Sequence, residues 1–304
     1  MNVHKNKNSL LVYILLVFSM FFWGTSYVFT SVVLKTLNPI SIIFIRLVLS
    51  SAMLWVIIFF FFRKEKIPLS TWKWIAILAF SEPFIYFIGE TYGLQRVSPV
   101  ITSLIISTIP VFTAILMRCF FRATLTWINF VGIFVSLFGV MLMIAGKNMQ
   151  IDVDYLGLLF LFIAVLSAVG YGLILHRLST NIHPVWLIAS QNTFGVFFFL
   201  PFFLLLKETP DFNHATISIF SSPQWEMWIC LLLLSIFSSS LAFIFYSISV
   251  RKYGIARCNV FANLIPIFTA ITSFFLLGER LSVIKIIGIV VVILGLILTQ
   301  QKKA

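Results

Sequence analysis

The sequence predicts an all-α integral membrane protein of ten transmembrane helices, arranged as two inverted five-helix repeats. Three observations carry that prediction: a composition too apolar for water, ten apolar stretches of spanning length, and one block that occurs twice. Hydrophobic residues make up 61% of the 304 residues and charged ones only 10%, with a mean hydropathy of +1.10. A soluble domain carries roughly 25% charged residues, so this chain lacks the polar surface that water demands. The net charge of +12 does not mark a nucleic-acid binder. Its lysines and arginines sit mostly in short gaps between apolar runs, where they act as topology signals.

A bilayer core of roughly 30 Å needs about 20 apolar residues per helix. Ten stretches meet that length, within 10–34, 40–62, 74–94, 99–121, 125–146, 156–176, 185–206, 225–249, 254–277 and 281–300. They are numbered spans 1 to 10 here. Lys5 and Lys7 ahead of the first run imitate a secretory signal, but the run continues to Leu34 without a small-x-small cleavage site and reads as a retained helix. Most connections are short; 63–73 and 207–224 are the longer ones, which leaves no room for a separate soluble domain.

Ile109-Pro110-Val111-Phe112-Thr113-Ala114-Ile115 returns as Ile265-Pro266-Ile267-Phe268-Thr269-Ala270-Ile271, 156 positions later, and the register holds to Leu142 and Leu298. Thirteen of the thirty-four aligned pairs are identical, Gly132/Gly288 and Gly139/Gly295 among them. Apolar bias produces scattered Leu and Ile matches, not a phased Pro-x-Phe-Thr-Ala-Ile with two glycines, so the chain is an internal duplication of 1–149 and 150–304. Each copy holds five helices, an odd number, so the copies face opposite ways across the membrane.

The charges follow. The gap 63–73 carries four basic residues, whereas 207–224 carries Lys207 offset by Glu208 and Asp211. The gap near Arg96 is sparse, whereas its counterpart holds Arg251, Lys252 and Arg257; Arg118 and Arg122 align with Phe274 and Gly278. With both termini on the cytoplasmic side of a bacterial inner membrane, fourteen Lys and Arg fall inside and six outside, leaving Arg46 alone within a span. Inverted repeats of this kind characterise secondary transporters, whose substrate site lies near the midplane between the halves.

Trp23-Gly24 in span 1, Pro39 followed by Arg46 in span 2, and Tyr92-Gly93-Leu94 before Ser98-Pro99 form a recognisable set with the two proline blocks and the Leu277-Gly278-Glu279 turn. Over nearly the whole chain the set resembles the drug/metabolite transporter superfamily, specifically its ten-helix EamA-type members. The resemblance implies a carrier of small organic solutes, such as amino acids, other metabolites or amphiphilic compounds, often exported. It also implies a cavity lined by helices 1–4 and 6–9, with helices 5 and 10 peripheral. One departure is visible: where the family often has an acidic residue after span 4, as Glu279 follows span 9, this chain has Ala123 beside Arg122.

Several residues are candidates for the site. A proline inside a helix frees the carbonyl four residues back, here Ile106 and Ala262, and Ser107 and Asn263 stand next to these at equivalent positions. Pro110 and Pro266 are therefore expected as helix bends that line the cavity, against the plainer reading of packing kinks. Arg46 must face protein or water and hold a partner. At about 1.5 Å per residue it lies roughly 9 Å from the outer end of span 2 and Glu90 roughly 6 Å from that of span 3. Arg46–Glu90 is thus the expected pair, either a fixed lock or part of a substrate site. Glu82, roughly 18 Å deep and followed by Pro83, is a candidate to bind and release protons during transport, against a neutral, hydrogen-bonded glutamic acid. Gln191, the counterpart of Arg46, and its neighbour Asn192 are candidates for substrate contact or for helix–helix glue. Trp23, Tyr27, Tyr86, Tyr171 and Tyr246 are candidate aromatic walls, and Ser238-Ser239-Ser240 suits close helix approach.

Enzyme signatures are absent: no Gly-x-Ser-x-Gly, His-Glu-x-x-His or Gly-x-x-x-x-Gly-Lys occurs, which argues against a lipid-modifying transferase and against ATP-driven pumping. His4, His176, His183 and His214 fall in the tail, at helix ends or in loops, and Cys119, Cys230 and Cys258 lie far apart, so neither a metal, a cofactor nor a disulfide is expected. The expected partners are a small-molecule solute and the lipid bilayer; the sequence carries no signal for an oligomeric state. The reading is a proton-coupled alternating-access exporter, with an uncoupled facilitator or channel on the same scaffold as the alternative.

Overall fold

The computed structural model describes residues 2–62, 67–121, 127–144, 154–205, 222–279 and 282–299, and all their regular structure is helical. The basic residues at 63–66, the Arg122-Ala123 departure and most of the 207–224 connection lie outside the described residues. Ten helical units coincide with the ten spans: α1 (Asn2–Val33), α2 (Pro39–Phe61), α3 (72–94), α4 (99–121), α5 (Trp127–Ile144), α6 (Tyr155–Ser179), α7 (Pro184–Leu205), α8 (222–253), α9 (255–277) and α10 (Val283–Thr299). Five segments are long and apolar enough to cross a membrane: Leu10–Val33, Pro39–Phe61, Tyr155–Ser179, Pro184–Leu205 and Trp225–Tyr253. Shorter apolar helices make up α4, α5, α9 and α10. The architecture is all-α and membrane-embedded, two repeats of five helices.

Helix starts follow local chemistry. The Asn38 side chain accepts from the Ser41 N–H at 2.8 Å, ahead of Pro39 at the first turn of α2. Ser98 and Pro99 open α4 in the same manner, and Asp154 caps α6 through the Leu156 N–H at 2.8 Å. Proline suits the first turn because its missing N–H would have had no helical partner there. At the far end of α9, Gly278 adopts φ +65° and the Ser273 hydroxyl donates to the Glu279 carboxylate; this is the chemistry behind Leu277-Gly278-Glu279, a left-handed cap.

Four spans are interrupted near mid-length, at matching places in the two repeats. α3 is Trp72–Ala79, a wide π turn Phe80–Ile85 and Tyr86–Leu94, with Glu82 extended at φ −143°, ψ 118°. Its repeat-mate α8 widens into a π turn over Leu234–Ala242 without any proline. There the Ser240 hydroxyl donates to the Ser235 carbonyl at 2.8 Å, and the Ser235 hydroxyl to the Leu231 carbonyl at 2.6 Å. α4 breaks between Pro99–Ile106 and Ile109–Phe121, and α9 passes from Ile255–Phe261 through a 3₁₀ turn, Ala262–Leu264, into Ile265–Leu277. This corrects one expectation: Pro110 and Pro266 do not bend continuous helices. Each sits in the first turn of a new segment, where it breaks no hydrogen bond.

The glycines of the duplicated block hold α5 against α10. A Cβ on Gly139 would lie 2.6 Å from the Val292 backbone nitrogen, and one on Gly295 would lie 2.6 Å from the Ser136 Cα. Val111 of α4 joins Ile133 and Val292 in the apolar cluster that ties this pair to the bundle. Gly295→Leu forces two backbones apart, and overpacking of this kind costs about 1–3 kcal/mol. The expected outcome is a lowered melting temperature of the detergent-purified protein; an unchanged one would mean that the contact has slack the geometry denies.

Candidate functional site

A cavity lies at the centre of the bundle, walled by α1, α2, α3, α4, α6, α8 and α9. All four interrupted helices reach it. Among the described residues, none of α5, α7 or α10 contributes to the wall. The expectation that α7 lines it is therefore corrected: α7 stands one layer back, and its Gln191 communicates with the wall by accepting a 3.4 Å hydrogen bond from the Tyr171 hydroxyl.

The cavity brings together Trp23, Tyr27, Arg46, Glu82, Tyr86, Glu90, Pro110, Tyr171 and Tyr246. Five other candidates stand elsewhere. Ser107 turns back on its own helix, its hydroxyl donating to the Leu104 carbonyl at 2.7 Å. Gln191 and Asn192 lie behind the wall, and Asn192 donates to the Ser50 hydroxyl at 2.7 Å and the Ser239 carbonyl at 2.9 Å. Asn263 is buried with both side-chain polar atoms unpartnered, and Pro266 is packed beside the wall residue Ile265. Sequence reading missed Ser26, Phe87, Thr113, Ser238, Phe243 and Asn259, all in the wall. A signal existed for two of them: Ser238 aligns with Glu82 across the repeat, and Thr113 belongs to the duplicated block.

Arg46 is 2% exposed and held by neutral groups. Its Nε donates to Ser239 Oγ at 2.8 Å, its Nη2 to Ser238 Oγ at 3.3 Å, and the guanidinium lies 4.3 Å from the centroid of the Phe87 ring. The expected Arg46–Glu90 contact pair is not formed; among the described residues the ion pair within 4 Å is Arg96–Asp154, at 3.4 Å. The cause is α8, whose wide turn presents consecutive serine hydroxyls to α2 and captures the guanidinium first. Glu82 and Glu90 remain close enough for electrostatic interaction with Arg46 and with each other. Around the serines a polar knot joins the repeats: Ser50 of α2 meets Ser240 of α8 at 2.6 Å, and Asn192 of α7 binds both strands of the knot.

Glu82 owes its position to the break in α3. The carbonyl of Ser81, within that turn, accepts both from the Tyr86 N–H and from the Ser167 hydroxyl of α6, the latter at 2.7 Å. Pro83 fits against Gly195 of α7, where a Cβ would come within 2.5 Å of the proline ring. Tyr27 and Tyr86 face each other at 3.4 Å between hydroxyls, and the Tyr246 hydroxyl donates to Asn259 Oδ1 at 2.9 Å.

The cavity wall is more exposed toward one end, the open end, than toward the other. Consecutive spans run antiparallel, so α8 finishes and α9 begins at the end of the bundle that carries the termini. There the wall residues Ile255 and Asn259 are half-buried, whereas Arg46 and Glu90, toward the opposite end, are buried. Toward that opposite, closed end Val33, Ile42, Met227, Cys230, Leu231 and Leu234 pack as one apolar cluster. Gly89 and Gly93 of α3 also let α6 approach to backbone contact, a Gly93 Cβ falling 3.2 Å from the Gly157 carbonyl oxygen.

A family model described as the EamA-like transporter family matches residues 10–145 and, a second time, 155–300. The chain belongs to the EamA-like transporter family. Relatives of this EamA-family protein include an uncharacterized transporter of Archaeoglobus fulgidus, 26% identical over 300 residues that cover 96% of this chain and 98% of the relative. The uncharacterized transporter YyaM of Bacillus subtilis is 24% identical over 297 residues, covering 94% and 92%. A solved crystal structure shares the fold with a TM-score of 0.70 over 95% of this chain and 97% of the other, at 12% identity. The EamA-family protein is thus a membrane transporter of the drug/metabolite transporter superfamily.

The serine clamp is testable against an internal control. Ser239→Ala leaves a buried guanidinium N–H without its acceptor, which costs about 1–3 kcal/mol, whereas Ser247, on the same helix and fully buried, has an unpartnered hydroxyl. Thermal unfolding is expected to show a clear loss for Ser239→Ala and none for Ser247→Ala; equal effects would contradict the clamp.

Proposed function

We propose that this EamA-family transporter is a secondary carrier that exports a small organic solute across the bacterial inner membrane by alternating access. The observation that carries this reading is the meeting of four interrupted helices, at matching positions of two repeats, around one cavity. Discontinuous helices near the repeat interface are how carriers of this kind build their sites. The cavity offers about 80 Å³ to the centre of a water-sized sphere. A water needs roughly 10–15 Å³ by that measure, so the space suits a solute of amino-acid or small-metabolite size. The wall is mostly apolar and aromatic, which favours an amphipathic body over a polyanion. With both termini cytoplasmic, as the charge asymmetry supports, the open end faces the compartment from which an exporter loads.

Coupling is assigned to Glu82. It is 7% exposed, stands at the one extended residue of α3, and feels the charges of Glu90 and Arg46. The hydroxyls of Tyr27, Tyr86, Tyr171 and Tyr246 complete its titratable surroundings. A carboxyl here can take a proton from one side and release it to the other as the halves exchange access.

Vesicles loaded with a labelled amino-acid pool test both parts. The wild type is expected to show counterflow, with unlabelled pool on one side accelerating exit from the other, and to respond to an imposed pH gradient. Glu82→Gln is expected to lose the pH response. A pH response unchanged in Glu82→Gln would remove Glu82 from coupling, and efflux without trans-stimulation would favour an uncoupled facilitator.

A further inference from the structure

We infer that the transported solute carries a positively charged nitrogen, held between Glu82 and Glu90. This deepens the carrier reading and rests on it, since it names the occupant of the same cavity. Two carboxyl side chains and one guanidinium line the wall, but the guanidinium does not neutralise either carboxyl by contact. Its Nε and Nη2 are engaged by Ser239 and Ser238, and its face by the Phe87 ring. Glu90 is 6% exposed and its Oε2 has no hydrogen-bond partner. A carboxylate buried in this manner lacks the partner that burial of charge demands, and a cation entering the cavity supplies it.

The rest of the wall agrees. Trp23, Tyr27, Tyr86, Tyr171 and Tyr246 surround the same space, and aromatic faces attract organic cations while accommodating an apolar body. Other polar groups at the wall, Ser26, Thr113 and Asn259, are neutral, so none of them offers an anion a counter-charge. Along α3, Glu82 lies nearer the open end and Glu90 nearer the closed one, so an entering cation meets the two carboxyls in sequence.

Three probes of one size separate charge from shape: benzylamine, cationic at neutral pH, benzyl alcohol, neutral, and benzoate, anionic. Their binding to the purified full-length protein is measured by calorimetry. Benzylamine is expected to bind at least roughly tenfold tighter than benzyl alcohol, with benzoate weakest. Glu82→Gln or Glu90→Gln is expected to abolish that preference while leaving benzyl alcohol binding within about twofold. Loss in either variant supports the inference and identifies the dominant carboxyl. Benzoate binding as tightly as benzylamine, no benzylamine binding, or a preference surviving in both variants overturns it. Should both variants fail to fold, the ranking of the three probes on the wild type decides. Because binding is read without transport, absent counterflow sinks the carrier reading and leaves this ranking standing, whereas a reversed ranking sinks the cation alone.

Discussion

In hydrocarbon, a backbone carbonyl released from its helix has no water to turn to, so an interruption survives only where protein or a wet cavity serves it. That constraint explains where this bundle breaks and what surrounds each break. The Ser81 carbonyl, in the wide turn of α3, takes the Tyr86 N–H and is also met by Ser167 from the other repeat. The widened turn of α8 is served by its own serines. Ser107 and Thr108 close the end of the first α4 segment by bonding the Leu104 and Ile105 carbonyls. Each interruption re-aims the helix beyond it, and the re-aimed segments are what leave an unfilled space at the centre.

The same constraint governs Arg46. A guanidinium within a bilayer must find partners, and two adjacent serines on a π turn, Ser238 and Ser239, provide acceptors at closer range than either carboxyl. Once the serines hold Arg46, the carboxyls of Glu82 and Glu90 face the cavity instead of a fixed partner. Symmetry sharpens the point: Glu82 aligns with Ser238, so the position that is acidic in one repeat is a hydroxyl donor or acceptor in the other. The duplication built the scaffold, and its mismatches made one wall of the cavity charged and the opposite wall neutral.

Much of this was legible in the sequence, for physical reasons that also mark the limit. Apolar runs of bilayer length fix the number of spans, and a phased Gly139/Gly295 pair could only mean a repeated close contact, which is the α5–α10 crossing. The proline blocks announced the α4 and α9 breaks but not their form, because proline is compatible both with a kink and with a fresh first turn. The π turn of α8 left no trace, since no proline or glycine marks it and serine is ambiguous between glue and interruption. The Arg46–Glu90 pairing failed because equal depth along two helices says nothing of the direction in which each side chain leaves its axis. Depth is a one-dimensional measure, and the partner was chosen by azimuth: Arg46 points at α8.

The repeat relation also explains why one end of the cavity is shut while the other is open. The α3–α6 contact at the closed end has a symmetry mate in the α8–α1 contact at the open end, and Gly93 and Gly157 correspond to Ser249 and Val12. At the closed end the glycines bring two backbones into direct contact. At the open end the Ser249 hydroxyl donates to the Val12 carbonyl at 3.5 Å, so a side-chain hydrogen bond stands where the mate has backbone contact. In the carrier reading these are two pseudo-equivalent gates, one lined by glycines and the other bridged by a side-chain hydrogen bond. The α5–α10 crossing differs from both, because the two-fold maps it onto itself. In the carrier reading that self-mapping makes it the element about which α3–α6 and α8–α1 exchange roles.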